Sequence, residues 1–205
     1  MSRPATTRDW RQLMVLLLVL GGLQQLAAAG LIKAKAWLAP VLIERAWETS
    51  LSLGGAAVKP WPWADTWPVA RLRAPALGVD RLVLAGDSGN ALAFGPGHTH
   101  ASAQLGSAGL AVIGGHRDTH FAFLRRLPPG ATLQLQLPDG SWRDYRVESR
   151  EVVDASKQSL PVLVGEERLL LVTCYPFDAL QANGPLRYVV GARPAMRQAR
   201  RVYSM

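Results

Sequence analysis

The only cysteine of the chain, Cys174, ends the apolar run Arg168-Leu169-Leu170-Leu171-Val172-Thr173 and is followed by Tyr175-Pro176-Phe177. The run reads as a strand and the proline stops strand pairing, so the thiol falls at a strand end. A side chain there is held by a rigid element yet open to substrate, which suits a nucleophile. The competing reading of a lone cysteine is a small buried hydrophobe. One cysteine excludes an intramolecular disulfide and any multi-cysteine zinc site.

A thiol needs a neighbouring base or cation to become a useful nucleophile near neutral pH. His116 occupies a matching position: Gly109-Leu110-Ala111-Val112-Ile113 reads as a strand, Gly114-Gly115 permits a tight turn, and His116-Arg117-Asp118 is polar. Arg187 lies 13 residues after Cys174, beyond the loop Phe177–Pro185. A hairpin there returns its guanidinium toward the thiol, where the fork of donors suits a substrate carbonyl or the oxyanion that develops on it. Each residue alone has a bland alternative, a structural histidine or a surface arginine. Three of them at three strand ends make coincidence a poorer account.

The elements that must position these groups are short. Val69–Arg73, Arg81–Ala85, Leu110–Ile113, Thr132–Leu137, Trp142–Val147, Glu151–Val153, Arg168–Thr173 and Arg187–Val190 each read as a strand, and Pro138-Asp139-Gly140 as a hairpin turn. With one convincing internal helix, Phe121–Leu127, about eight strands predict a mainly β fold closed into a barrel. Upstream, Leu13–Ile32 is a 20-residue run without formal charge preceded by Arg3, Arg8 and Arg11, which fits the ~20 residues of a membrane-spanning helix. The arginines place the start in the cytoplasm and the remainder outside, with Lys33 and Lys35 voting against. Cleavage as a signal peptide after Ala27-Ala28-Ala29 is the competing reading. From Ala34 to Leu51, Trp37, Leu38, Val41, Leu42, Ala46 and Trp47 recur at helical spacing, predicting an amphipathic stalk near the membrane surface. Residues 54–68 interleave Pro60, Pro62 and Pro68 with Trp61, Trp63 and Trp67, predicting an extended arm whose tryptophans pack on the domain rather than in the membrane interface.

The expected organisation is a basic cytoplasmic start (1–12), a membrane helix (13–32), stalk and arm (33–68), a catalytic barrel (69–191) and a basic tail (192–205). The formal charge of +8 follows this division: residues 60–190 carry equal numbers of basic and acidic residues, twelve of each, and all the excess lies in the flanks. Basic ends on a neutral domain fit anionic lipid headgroups and argue against a nucleic-acid groove.

Taken together, these residues resemble the sortase family. Trp61-Pro62-Trp63-Ala64-Asp65-Thr66-Trp67-Pro68, Gly115-His116-Arg117-Asp118-Thr119-His120-Phe121 and Thr173-Cys174-Tyr175-Pro176-Phe177 look like the class found in Gram-negative bacteria. The resemblance runs from about Trp61 to Gly191. It implies an eight-stranded sortase barrel on a single-pass anchor in the inner membrane, with the catalytic domain in the periplasm. It further implies that Cys174 attacks the Thr–Gly-type bond of an LPXTG-like signal at the C-terminus of a target protein. His116 then serves as acid/base, Arg187 as carbonyl clamp, Thr173 as a further substrate contact, and His120 and Asp118 as support. The amine acceptor stays unspecified. Two departures from the broader family, Leu171-Val172-Thr173 before the cysteine and Gly114 where alanine is frequent, bear on peptide selectivity rather than on the reacting groups.

No cofactor is implied, and there is no Gly-rich phosphate loop. His98, His100, His116, His120 and Asp118 can be drawn as a metal site, but His116 and His120 lack the adjacent Glu of zinc proteases, so none is expected. His98 and His100, in a Gly/Pro-rich loop, are expected to be solvated.

Overall fold

The computed structural model describes residues 7–157, 165–179 and 184–195. The chain divides into two compact units, at Val41 and Leu42. A single helix, α1, runs from Thr7 to Ser52 with Pro40 inside it. In the first unit its stretch Trp10–Gly30, 21 residues of mean hydropathy 1.9, is long and apolar enough to cross a membrane. The leucines there are unburied, Leu18 at 71% exposure.

In the second unit the last turns of α1 bury Ile43, Ala46, Trp47 and Ser50, spaced three and four apart on one face. Trp37, Leu38 and Val41, which helical spacing groups with Ala46 and Trp47, are exposed instead. Glu44 pairs with Arg71 of the first strand, and the Ser50 hydroxyl donates to the Ala56 carbonyl at 2.7 Å. The end of the expected stalk is therefore part of the folded domain, since from Leu42 onward it belongs to the unit that holds the barrel and pairs with β1 through Glu44.

The strands are β1 (Pro68–Ala74), β2 (Val79–Ala85), β3 (Gly97–His98), β4 (Gly109–Gly114), β5 (Thr132–Gln136), β6 (Trp142–Asp154), β7 (Glu167–Cys174) and β8 (Leu186–Pro194). They close a barrel in the order β1-β2-β3-β4-β7-β8-β6-β5. The eight-stranded barrel is thus present, with strands apportioned differently from the sequence reading. Trp142–Val147 and Glu151–Val153 are one long strand whose register shifts between Val147 and Ser149. The remaining strand is β3, two residues long and invisible to a period-two pattern. It lies close against its neighbour: a Cβ on Gly97 would sit 2.0 Å from the Gly86 carbonyl oxygen, so glycine is required there.

Alternation fills the interior. Along β1, β5 and β7 every second side chain is buried, and Leu72, Leu133, Leu135, Leu169 and Leu171 meet Phe121, Leu124 and Leu127 in one core. The expected helix at Phe121–Leu127 is a 3-10 helix, Ala122–Arg126, and a six-residue helix, α2 (Gly89–Phe94), capped by Ser88, was too short to announce itself. In the Pro/Trp arm, Trp61 packs edge-on against Phe94 at 5.4 Å and the Thr66 hydroxyl donates to Ala85 at 2.7 Å. Trp63 departs from the packing expectation, at 83% exposure. β8 extends to Pro194; the rest of the basic tail, 196–205, lies outside the described residues, as do 180–183 of the loop before β8.

Candidate active site

The side-chain alternation of β7 decides where the thiol points. Leu169, Leu171 and Thr173 face the core, so Leu170, Val172 and Cys174 face outward. On β8, Val190 and Ala192 are buried and Arg187 shares the outward face with Val189. The strands are antiparallel with Cys174 directly opposite Arg187. Cys174 is a free, half-buried thiol. The Arg187 guanidinium is held from behind, Nη1 donating to the carbonyls of Gly184 at 2.6 Å and Leu186 at 2.9 Å.

β4 runs parallel to β7, with Gly114 opposite Val172, which delivers the next turn of chain to the same barrel end. The Gly115 N–H donates to the Val172 carbonyl at 3.1 Å, and the inward-facing Thr173 hydroxyl donates to the Gly115 carbonyl at 2.7 Å. A buried hydroxyl is thereby satisfied and the two strand ends are tied together. The His116 carbonyl accepts from the Phe121 N–H at 3.0 Å, closing the turn over the fully buried Phe121 ring. His116 itself is exposed.

Cys174, His116, Arg187 and Thr173 all border one groove of about 1180 Å³, whose walls include Leu92, Leu110, Val112, Val153 and Val189. A largely apolar trough with a thiol, an imidazole and a guanidinium at one end has the form of a site for an extended peptide. Asp118 is exposed and takes the Arg117 Nε at 3.2 Å. His120 is half-buried; burial first, then the charges of Arg81 and His116, hold its pKa below the ordinary imidazole value, against a backbone hydrogen bond with Ala93 that raises it.

Two residues behave differently from the sequence reading. His98 is half-buried and its Nε2 meets the Ala103 carbonyl at 2.9 Å and the Ser102 hydroxyl at 3.2 Å, because β3 pins it beneath the loop that follows. Arg117, given no role in the sequence reading, is 7% exposed and bonds the carbonyls of Pro176 at 2.8 Å and Ala179 at 2.6 Å, in the loop after the cysteine. Among the described residues no three His, Cys, Asp or Glu side chains gather as a group able to hold a metal.

Residues 72–195 match the sortase domain family, more than half of the chain. The chain belongs to the sortase family. A curated relative, sortase D of Bacillus subtilis (strain 168), is 33% identical to this sortase over 120 residues, 58% of this chain and 60% of that protein. The match therefore spans less than two thirds of that relative's length. Among solved structures, this sortase is similar to a Clostridium perfringens sortase D5 transpeptidase, with a TM-score of 0.57, 21% identity, and coverage of 72% of this chain and 88% of that one. Similarity to sortase A from Corynebacterium diphtheriae gives a TM-score of 0.57 at 18% identity, over 85% of this chain and 95% of that one. At such identities these two likenesses speak for the fold. The barrel of this sortase is their barrel, and its site has to be argued from its own side chains.

The signal that would have found Arg117 was present in part. An arginine two residues past an apolar strand and its glycine pair, directly after His116, puts a charge close to the core. Its partners, backbone carbonyls some 60 residues downstream, leave no mark in residue types.

Proposed function

We propose that this sortase is a membrane-anchored cysteine transpeptidase. The observation that carries the reading is the direct cross-strand pairing of Cys174 with Arg187 at the end of an apolar groove that His116 also borders. The Cys174 thiolate attacks the scissile carbonyl carbon of a peptide lying in the groove, and Arg187 donates to the oxygen as its negative charge develops. As the tetrahedral intermediate collapses, the C–N bond breaks and His116 gives its proton to the departing amine. An acyl thioester remains on Cys174. An incoming amine attacks that thioester, His116 takes its proton, and the thiolate leaves, regenerating the enzyme.

The substrate on this reading is a target protein ending in an LPXTG-like sorting signal, with Asp118 and His120 supporting the loop. The class is the Gram-negative one, on the strength of the Trp61–Pro68, Gly115–Phe121 and Thr173–Phe177 motifs. The apolar helix Trp10–Gly30 anchors the chain in the inner membrane, and the arginines before it leave the domain on the periplasmic side.

The test is incubation of the detergent-solubilised full-length protein with LPXTG-like peptides, with and without added amines. Cleavage that yields the amine adduct supports transpeptidation, and hydrolysis alone would make the enzyme a peptidase. Cys174→Ala is expected to abolish turnover with an unchanged melting temperature; retained turnover ends the cysteine mechanism. A reporter fused after Met205 is expected to be active only outside the cytoplasm.

A further inference from the structure

Two short chain segments meet at the catalytic end of the barrel, one carrying His116 and the other Cys174. The residues on each side of His116 are bonded to the residues on each side of Cys174. Upstream, Gly115 exchanges two hydrogen bonds with Val172 and Thr173, at 3.1 and 2.7 Å. Downstream, Arg117 reaches across to the carbonyls of Pro176 and Ala179, at 2.8 and 2.6 Å. The upstream tie is built into the sheet, since β4 and β7 are paired along their length. The downstream tie is made by the buried Arg117 side chain, with an exposed Arg125–Asp178 pair at 3.8 Å beside it.

From this we infer that Arg117 is a positioning residue: it locks the loop after Cys174 onto the loop that carries His116, and so sets the imidazole against the thiol. The guanidinium is suited to the task. At 7% exposure it is a charge nearly out of water, so its bonds to carbonyls are charge-assisted and little screened. Its planar fork sends Nη1 to one carbonyl and Nη2 to another, while Nε meets Asp118 at 3.2 Å. The two carbonyls belong to residues three apart in a turn, where the Ala179 N–H also reaches the Pro176 carbonyl, at 3.4 Å. A lysine ammonium is a point charge on a flexible stem and does not reproduce that span. His116 is exposed and its carbonyl is tied to Phe121, so the backbone on either side of it decides where the imidazole stands.

This inference rests on the transpeptidase reading for its substrate, so its test has two arms, one of them free of substrate. In the first, kcat and KM of Arg117→Lys, His116→Gln and the double variant are compared with the parent, each below its own melting transition. A displacement of about an ångström in a catalytic pair costs roughly ten- to a hundredfold in rate. Arg117→Lys is expected to lose that much in kcat with KM little changed. Because Arg117 acts through His116, the double variant is expected to be no slower than His116→Gln alone. In the second arm, alkylation of Cys174 by iodoacetamide is timed in the same four proteins, and the same lack of additivity is expected. If the parent turned over no sorting peptide, the transpeptidase reading would fall while the alkylation arm still judged Arg117. Should Arg117→Lys not fold, Arg117→Gln, which keeps an amide donor for one carbonyl, takes its place. A variant that melts earlier but works at the parent rate, or a double variant whose loss is the product of the single losses, overturns the proposal.

Discussion

Cys174, the last residue of β7, stands directly opposite Arg187, the second residue of β8, so sheet register brings their backbones together, and the carbonyls of Gly184 and Leu186 then hold the guanidinium. A one-residue slip would turn one of the two into the core, and the buried Leu171 and Val190, paired three rows further along, resist that slip.

If Arg187 donates to a developing oxyanion, its planar fork matters more than its charge. Arg187→Lys is expected to lose roughly a hundredfold or more in kcat, the usual loss for one oxyanion donor, with a melting temperature near the parent's. Steady-state kinetics on the best sorting peptide checks this; a rate close to the parent's would make Arg187 a bystander.

Gly115 has no room for a side chain. A Cβ there would lie 2.8 Å from the fully buried Phe121 ring, which cannot retreat into the filled barrel. Gly115→Ala is expected to destabilise the domain by about 1 to 3 kcal/mol, the ordinary cost of overpacking, and to move His116 with its turn. Denaturant unfolding reads the first effect and kcat the second; stability unchanged to within a few tenths would contradict the contact.

His120 gives the domain a dependence on pH. Its pKa is lowered in the folded protein, so at pH above about 6.5, the unfolded value, it is neutral in both states and its contribution is complete. As pH falls below that value the unfolded chain takes up the proton first, and stability declines until the folded pKa has been passed. Melting temperatures at pH 7.5 and 5.5 are expected to differ less in His120→Gln than in the parent. Equal differences in the two proteins would place the titration elsewhere.

The buried face at the end of α1 makes those turns part of the domain. Trp47 is 1% exposed, and Trp47→Ala is expected to cost about 3 to 5 kcal/mol, as large-to-small changes in a core do. A fragment beginning at Leu42 is expected to fold, and one beginning at Gly54 to melt much earlier. Equal melting temperatures for the two fragments would show that the helix end is dispensable.

The barrel was legible because local signals agree with one another. Apolar alternation marks the inner faces of β1, β5 and β7, Pro138-Asp139-Gly140 closes a hairpin, and the uncharged run after three arginines yields a helix fit to span a membrane. Strand ends, residue chemistry and the family resemblance together nominated Cys174, His116 and Arg187, and the fold brings all three to one groove. Tertiary structure decided the features whose cause lies in distant chain. β3 is a strand because β2 and β4 hold its two residues; β6 is continuous because β8 pairs with it across a shift in register. Residue spacing grouped Trp37 with Trp47, but only from Leu42 onward is α1 part of the unit that holds the barrel, and there its face is buried. Arg117 is the clearest instance. Its carbonyl partners are common to every residue type, and only the meeting of two loops some 60 residues apart makes it a clamp beside the thiol.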